Sequence, residues 1–252
     1  MCRNALIDIQ DGVFFMIGPI MDSIGIVLGS ILGSLWGKRI PESLRNRLPL
    51  VFGCVAMGIG VSMIVQVNNL TPVIISILLG TIIGELLKLE SGINYFGHFA
   101  RRIVNQFKTK TEGEINLEEY SEKFASMIIL FGFSGVAVVG AITEGLTGDA
   151  SLLVVKSLLD FLTAIIFATS LGFALAATSL LQFIVQASLF WGAVLIAPYM
   201  NDTVMGDFSA VGGFVMLATG FNICRVAQFP VTSMLPSLVL SLPLSSLWLS
   251  FV

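Results

Sequence analysis

Lys156 and Asp160 stand four residues apart inside the long apolar stretch 151–199. That spacing puts both on one face of a helix, where they can pair. An ionisable group at the middle of a bilayer costs about 2.5–3.5 kcal/mol on insertion scales, so such a pair requires a reason. Two reasons are open. One is a structural ion pair that fixes helix register. The other is a proton- or ion-coupling carboxylate, Asp160, with Lys156 as its charge partner on a polar cavity. Glu144 and Asp149, just before this helix, are candidates for an outer mouth. Asn222 is a candidate polar contact from the far end of the chain. Gln182 and Gln186 either line the same cavity or make ordinary interhelical hydrogen bonds. Glu85, near the end of an apolar run, either reaches the interface or joins this set.

Other chemistries have little support. The single histidine, His98, leaves no metal-binding pair and no Ser/His dyad inside an apolar run. Cys2, Cys54 and Cys224 have no metal or redox spacing and read as small packing residues. Gly148-Asp149 superficially resembles the GxGD signature of intramembrane aspartyl proteases, but Leu146 stands where that signature needs glycine. No metal, cofactor or nucleic-acid partner is expected.

The elements that must carry these charges are set by composition. Hydrophobic residues make up 56% of the 252 and charged residues 12%, with a mean hydropathy of +0.94. Soluble domains carry about 25% charged residues, so the solvent here is a bilayer. Helices of about 20 apolar residues span it, and the sequence predicts them at 16–37, 50–67, 71–87 and 124–142. Two more share 151–199 and meet near 174–179, and the last two fall at 208–224 and 231–252. The expected fold is one all-α, polytopic membrane domain of eight spans, or seven where the later boundaries merge. Pro230, Pro236 and Pro243 should kink or break the last span. Residues 1–15 carry Arg3, Asp8 and Asp11 and make a poor signal peptide. Met16 is an alternative start, which would leave 1–15 as an extension.

Lys38, Arg39, Arg45 and Arg47 in one loop, and Lys88 to Lys123 in another, put both loops in the cytoplasm by the positive-inside rule. Both termini then lie outside. Within 88–110, apolar residues recur at helical spacing around Arg101, Arg102 and Lys108, which reads as an amphipathic helix on the cytoplasmic leaflet. Gly25, Gly29, Gly33 and Gly37 form a ridge of every fourth residue, for packing within the chain or for a homodimer seam. At an offset of 160, Val51, Gly53, Val55 and Gly60 fall opposite Val211, Gly213, Val215 and Gly220. Asp22 falls opposite Gln182. The shift amounts to an odd number of spans, which predicts two oppositely oriented three-helix repeats, 16–87 and 176–252. Between them lie the cytoplasmic segment 88–123 and the central spans 124–175.

Met16-Ile17-Gly18, Gly33 with Lys38, Arg39 and Pro41, and Gly80 to Glu85 together resemble the YqgA/YdfK-like bacterial membrane proteins, a family with a domain of unknown function. Gly145 to Asp149, Lys156 to Asp160, Gly220-Phe221-Asn222 and Met234 to Ser237 resemble it too. The resemblance runs from Met16 to the C-terminus. It departs before Met16, at Asp22 where the family favours Asn, and at Phe161 where it has Gly. It implies a protein of the bacterial cytoplasmic membrane, in some cases labelled a transporter, and supplies no substrate.

The resulting expectation is a small secondary transporter or channel-like carrier for an unidentified solute or ion, dimeric and non-enzymatic. A scaffold or sensor acting through Arg101, Arg102 and Lys108 is the competing reading, and an intramembrane enzyme a distant third.

Overall fold

The computed structural model describes residues 16–36, 39, 41–89 and 117–251. The proposed extension 1–15, Gly37 and the segment carrying His98, Arg101, Arg102 and Lys108 lie outside the described residues. Every regular element among the described residues is helical.

Helix α1 spans Ile17–Trp36, α2 Glu42–Ile64 and α3 Leu70–Leu86. Helix α2 begins eight residues before the predicted span, because Pro41 precedes a polar first turn that prolongs the helix beyond its apolar part. Pro49 lies inside it. The predicted fourth span is two helices, α4 Leu117–Gly132 and α5 Gly135–Thr147. The break has a local cause. Ser134 is extended (φ −68°, ψ 150°) and its side chain accepts the N–H of Ala137, which caps a new helix between Gly132 and Gly135. Helix α5 ends on Gly148, whose φ of 76° suits a residue without a Cβ.

Helix α6, Ser151–Leu171, passes through a 3₁₀ turn at Gly172–Ala177 into α7, Thr178–Ile196. Helix α8 spans Asp202–Ile223. The last apolar run divides at Leu235, the residue before Pro236, into α9 (Val231–Met234) and α10 (Pro236–Phe251). Pro243 sits inside α10 without ending it.

Among the described residues, six stretches are long and apolar enough to cross a bilayer: Ile17–Trp36, Arg47–Ile64, Ser126–Thr147, Ser151–Ile196, Asp202–Ile223 and Val231–Phe251. The fourth of these holds both α6 and α7, and α3 is shorter than the rest. Large apolar side chains cover the outside, among them Leu35, Leu78, Leu86, Trp191 and Leu195. In water such a surface would aggregate; against lipid tails it carries no penalty.

Among the described residues two larger apolar cores fill most of the interior, beside a small third cluster of Val215, Ala218, Val231 and Met234. One gathers Met63, Val73, Val139, Phe208, Val211 and Leu238, from α2, α3, α5, α8 and α10. The other gathers Ile26, Phe124, Phe131, Ala164 and Leu171, from α1, α4 and α6. The break at residues 133–134 therefore hands one span from the second core to the first.

Helices α2 and α8 cross through glycine. A Cβ on Gly60 would lie 2.7 Å from the Gly213 carbonyl oxygen, and one on Gly213 would lie 2.6 Å from that of Gly60. Gly53 and Gly220 make the equivalent exchange at 3.0 and 2.8 Å. Any larger residue would drive the backbones apart.

Candidate functional site

The packing of α1 on α6 sets the site. A Cβ on Gly25 would lie 3.0 Å from the carbonyl oxygen of Ser157, and Cβ atoms on Gly29 and Gly33 would collide with those of Phe161 and Ile165. Both series advance by four in the same direction, so the two helices run parallel. The ridge formed by these three glycines is thus filled from within the chain. Asp22 lies three residues before Gly25, on the same face, and the close approach carries it to Lys156.

There the Lys156 ammonium donates to Asp22 Oδ2 at 2.8 Å and to Asp160 Oδ2. Asp22 Oδ2 also accepts from Gln182 Nε2 at 3.0 Å and Gln186 Nε2 at 2.7 Å, both on α7. The Ser23 hydroxyl, 2.8 Å from Gln182 Oε1, holds that amide in place. All five of these charged and amide side chains are buried, Asp22 and Gln186 completely. Moving ions out of water costs several kcal/mol each, and only close, well-bonded opposite charges offset it. Lys156 and Asp160 lie about 8 and 14 Å along α6 from its start, at 1.5 Å per residue.

Beside the cluster is a cavity of about 30 Å³, room for roughly one or two waters or a small ion. Lys156, Asp160 and Thr163 of α6 form one wall; Ser134 and Val136, at the broken helix, form another; Phe52, Ala56 and Met216 close the far side. The N-terminus of α5, capped by Ser134, thus meets the cavity with the positive end of its helix dipole.

The other sequence candidates sit elsewhere. The Glu144 carboxylate accepts the N–H of Gly18, at 2.9 and 3.2 Å, and so caps the start of α1. Asp149 is exposed and accepts the N–H of Ser151 at 2.9 Å. The Ser151 hydroxyl and N–H hold its carboxyl below the usual range. Asn222 bonds both ways with the backbone of Phe229 and ties the turn after α8, away from Asp160. Glu85 is exposed near the end of α3. Of the predicted set, Lys156, Asp160 and Gln186 come together.

Asp22 is the residue the sequence reading left out of the site. Its signal was present: a carboxylate in an apolar run, in phase with the glycine ridge. Among the described residues no group of three or more Asp, Glu, His or Cys side chains could hold a metal.

Residues 17–246 match the family described as "Protein of unknown function (DUF554)". The chain belongs to that family. It is similar to the "Uncharacterized protein YqgA" of Escherichia coli (strain K12), with 42% identity over 92% of this chain and 97% of the relative. The "Uncharacterized membrane protein YdfK" of Bacillus subtilis (strain 168) is 28% identical over 89% of this chain and 93% of its own length. No solved structure matches the chain. This DUF554 protein is a membrane-type protein with an all-helical fold.

Proposed function

We propose that the protein is a small secondary transporter or channel-like carrier of the bacterial cytoplasmic membrane, moving a small ion or solute past Asp160. One observation carries this reading. A buried, ionised cluster borders a cavity at a broken helix, between two separate apolar cores. Discontinuous helices beside buried charge are a recurrent feature of transport sites. A structural ion pair alone would need neither the cavity nor the break. The cavity's size favours an ion or water over a metabolite.

Inverted repeats support the same reading. Shifted by 160, α1, α2 and α3 fall on α7, on α8 and on α9 with α10 to within a residue at every start. The shift also exchanges the contact Gly53–Gly220 with the contact Gly213–Gly60, as a two-fold axis requires. Asp22 and Gln182, equivalent under that shift, bond directly. Antiparallel helices related in this way place the axis in the membrane plane.

The parallel run of α1 and α6 agrees with four traverses between them, and so with eight in all. With eight, every Lys and Arg except Arg3 and Lys156 lies on one side, the cytoplasm, and both termini lie outside. The ridge of Gly25, Gly29 and Gly33 already holds α6, so a homodimer would have to use a different face.

The test is flux through Asp160→Asn in proteoliposomes, read by a trapped pH-sensitive dye under imposed proton, Na⁺ and K⁺ gradients. The wild type should conduct or exchange at least one of these ions. The variant should lose that flux while unfolding at nearly the same temperature. Equal flux in the two proteins would sink the assignment.

A further inference from the structure

Counted with their ordinary charges, Asp22, Lys156 and Asp160 sum to −1, in a site buried from the outside. None of the side chains bonded to these three supplies a further positive charge. Helix α6 faces Asp22 with Lys156 and Asp160, and α7 with the neutral amides of Gln182 and Gln186. The turn Gly172–Ala177 has no ionisable residue, and Glu144 of α5, itself acidic, is engaged at Gly18. An unbalanced buried charge of this kind is normally removed by binding a cation or a proton.

The hydrogen bonds point to which. Three donors crowd Asp22 Oδ2, while Asp22 Oδ1 has no partner at all. Gln186 donates its amide nitrogen to Asp22, and its carbonyl Oε1 has no partner either. Both atoms are buried acceptors. Turning the Gln186 amide over does not help, because Oε1 would then sit 2.7 Å from Asp22 Oδ2, acceptor against acceptor.

We infer that this site binds one exchangeable proton, carried on Asp22 Oδ1 and donated to Gln186 Oε1. The acid and the amide then form a closed ring of two hydrogen bonds: N–H to Oδ2 one way, O–H to Oε1 the other. Both orphaned oxygens are satisfied, and the cluster becomes neutral as Asp22–H beside the Lys156–Asp160 pair. Release of the proton to water returns Asp22 to carboxylate and leaves Lys156 shared between two anions. A metal cation fits less well. Calcium takes six to eight oxygens and magnesium a near-octahedral set, whereas two are unoccupied here. The inference rests on the transport reading only for the use made of the proton; the binding itself stands on the geometry.

Infrared spectra of the purified protein in lipid vesicles, with no gradient imposed, test it. At neutral pH the wild type should show the carbonyl stretch of one more protonated carboxyl than Asp22→Asn. That variant keeps both ring hydrogen bonds as an amide–amide pair, so it should unfold at an unchanged temperature. Gln186→Leu should shift the extra band to higher frequency, since it removes the donor to Oδ2. Equal bands in wild type and Asp22→Asn would overturn the inference. A band unmoved in Gln186→Leu would put the proton on Asp160 and overturn it too. So would a band that appears only when Na⁺ is withdrawn, which would make a metal ion the occupant. None of these outcomes depends on flux, so failure here leaves the Asp160→Asn transport test intact.

Discussion

Among the described residues, buried carboxylates occur in two settings. Asp207 on α8 is fully enclosed and accepts the N–H groups of Asn68 and Asn69, the side-chain amide of Asn69 and the Ser245 hydroxyl. Glu144 accepts the N–H of Gly18 with both oxygens. Each lies at the start of a neighbouring helix, α3 or α1, where exposed N–H groups and the helix dipole favour negative charge. Neither needs a cation. The cluster of Asp22, Lys156 and Asp160 has the same burial and the same residue types, yet one lysine serves two carboxylates and two acceptors stand empty. Burial does not separate a structural carboxylate from a working one here. The allotment of donors does.

The largest way to break this contrast is Lys156→Met. With the cation that both carboxylates share gone, the cluster should lose about 3–5 kcal/mol, the usual cost of removing one partner of a buried pair. Unfolding in mixed detergent measures it; a loss no greater than that of the Glu144 variant would mean the cluster is not held by charge. Next comes Asp207→Ala, which strips the cap from α3 and should cost about 2 kcal/mol by capping and charged hydrogen-bond scales. Ion flux per folded molecule should stay at the wild-type value, since this carboxylate only builds. Reduced flux at equal folded amount would erase the distinction.

Glu144→Gln keeps an acceptor on Gly18 but removes the charge, for a loss of about 1 kcal/mol, again with normal flux. Asp149→Ala should have the smallest effect, a few tenths, because the carboxylate is exposed and screened. Its pH signature is specific. Ser151 lowers the folded-state pKa, so the stabilisation is present above the unfolded carboxylate value and fades as pH falls through the lowered one. Acid unfolding of Asp149→Ala should lack that component.

The helices were legible in the sequence because a bilayer admits few alternatives: apolar runs of the right length become spans. The early start of α2 was not, because residues 42–49 are helical but too polar for a hydropathy reading to include them. The break inside 124–147 escaped for the opposite reason. Phe133 and Ser134 sit in uniformly apolar surroundings, and only the pattern of Gly132, Ser134 and Gly135 marks a capped restart. Lys156 and Asp160 were readable from their spacing within one helix. Their third partner was not, since Asp22 arrives from 134 residues away and is placed by glycine contacts between helices. Asn222 looked equivalent on the page because hydropathy cannot show that its amide is engaged by Phe229.

The interrupted span has a mechanical consequence. Its hydrogen-bond ladder runs up to the N–H of Phe133 on Ile129 and resumes with the N–H of Val138 on Ser134. Between these points the chain crosses from one apolar core to the other. In a continuous helix, twisting one core against the other would have to stretch a column of backbone bonds. Here the torsions of two residues absorb the twist, beside the cavity that Lys156 and Asp160 line. The joint is softest where a change of shape would alter the charges' surroundings most.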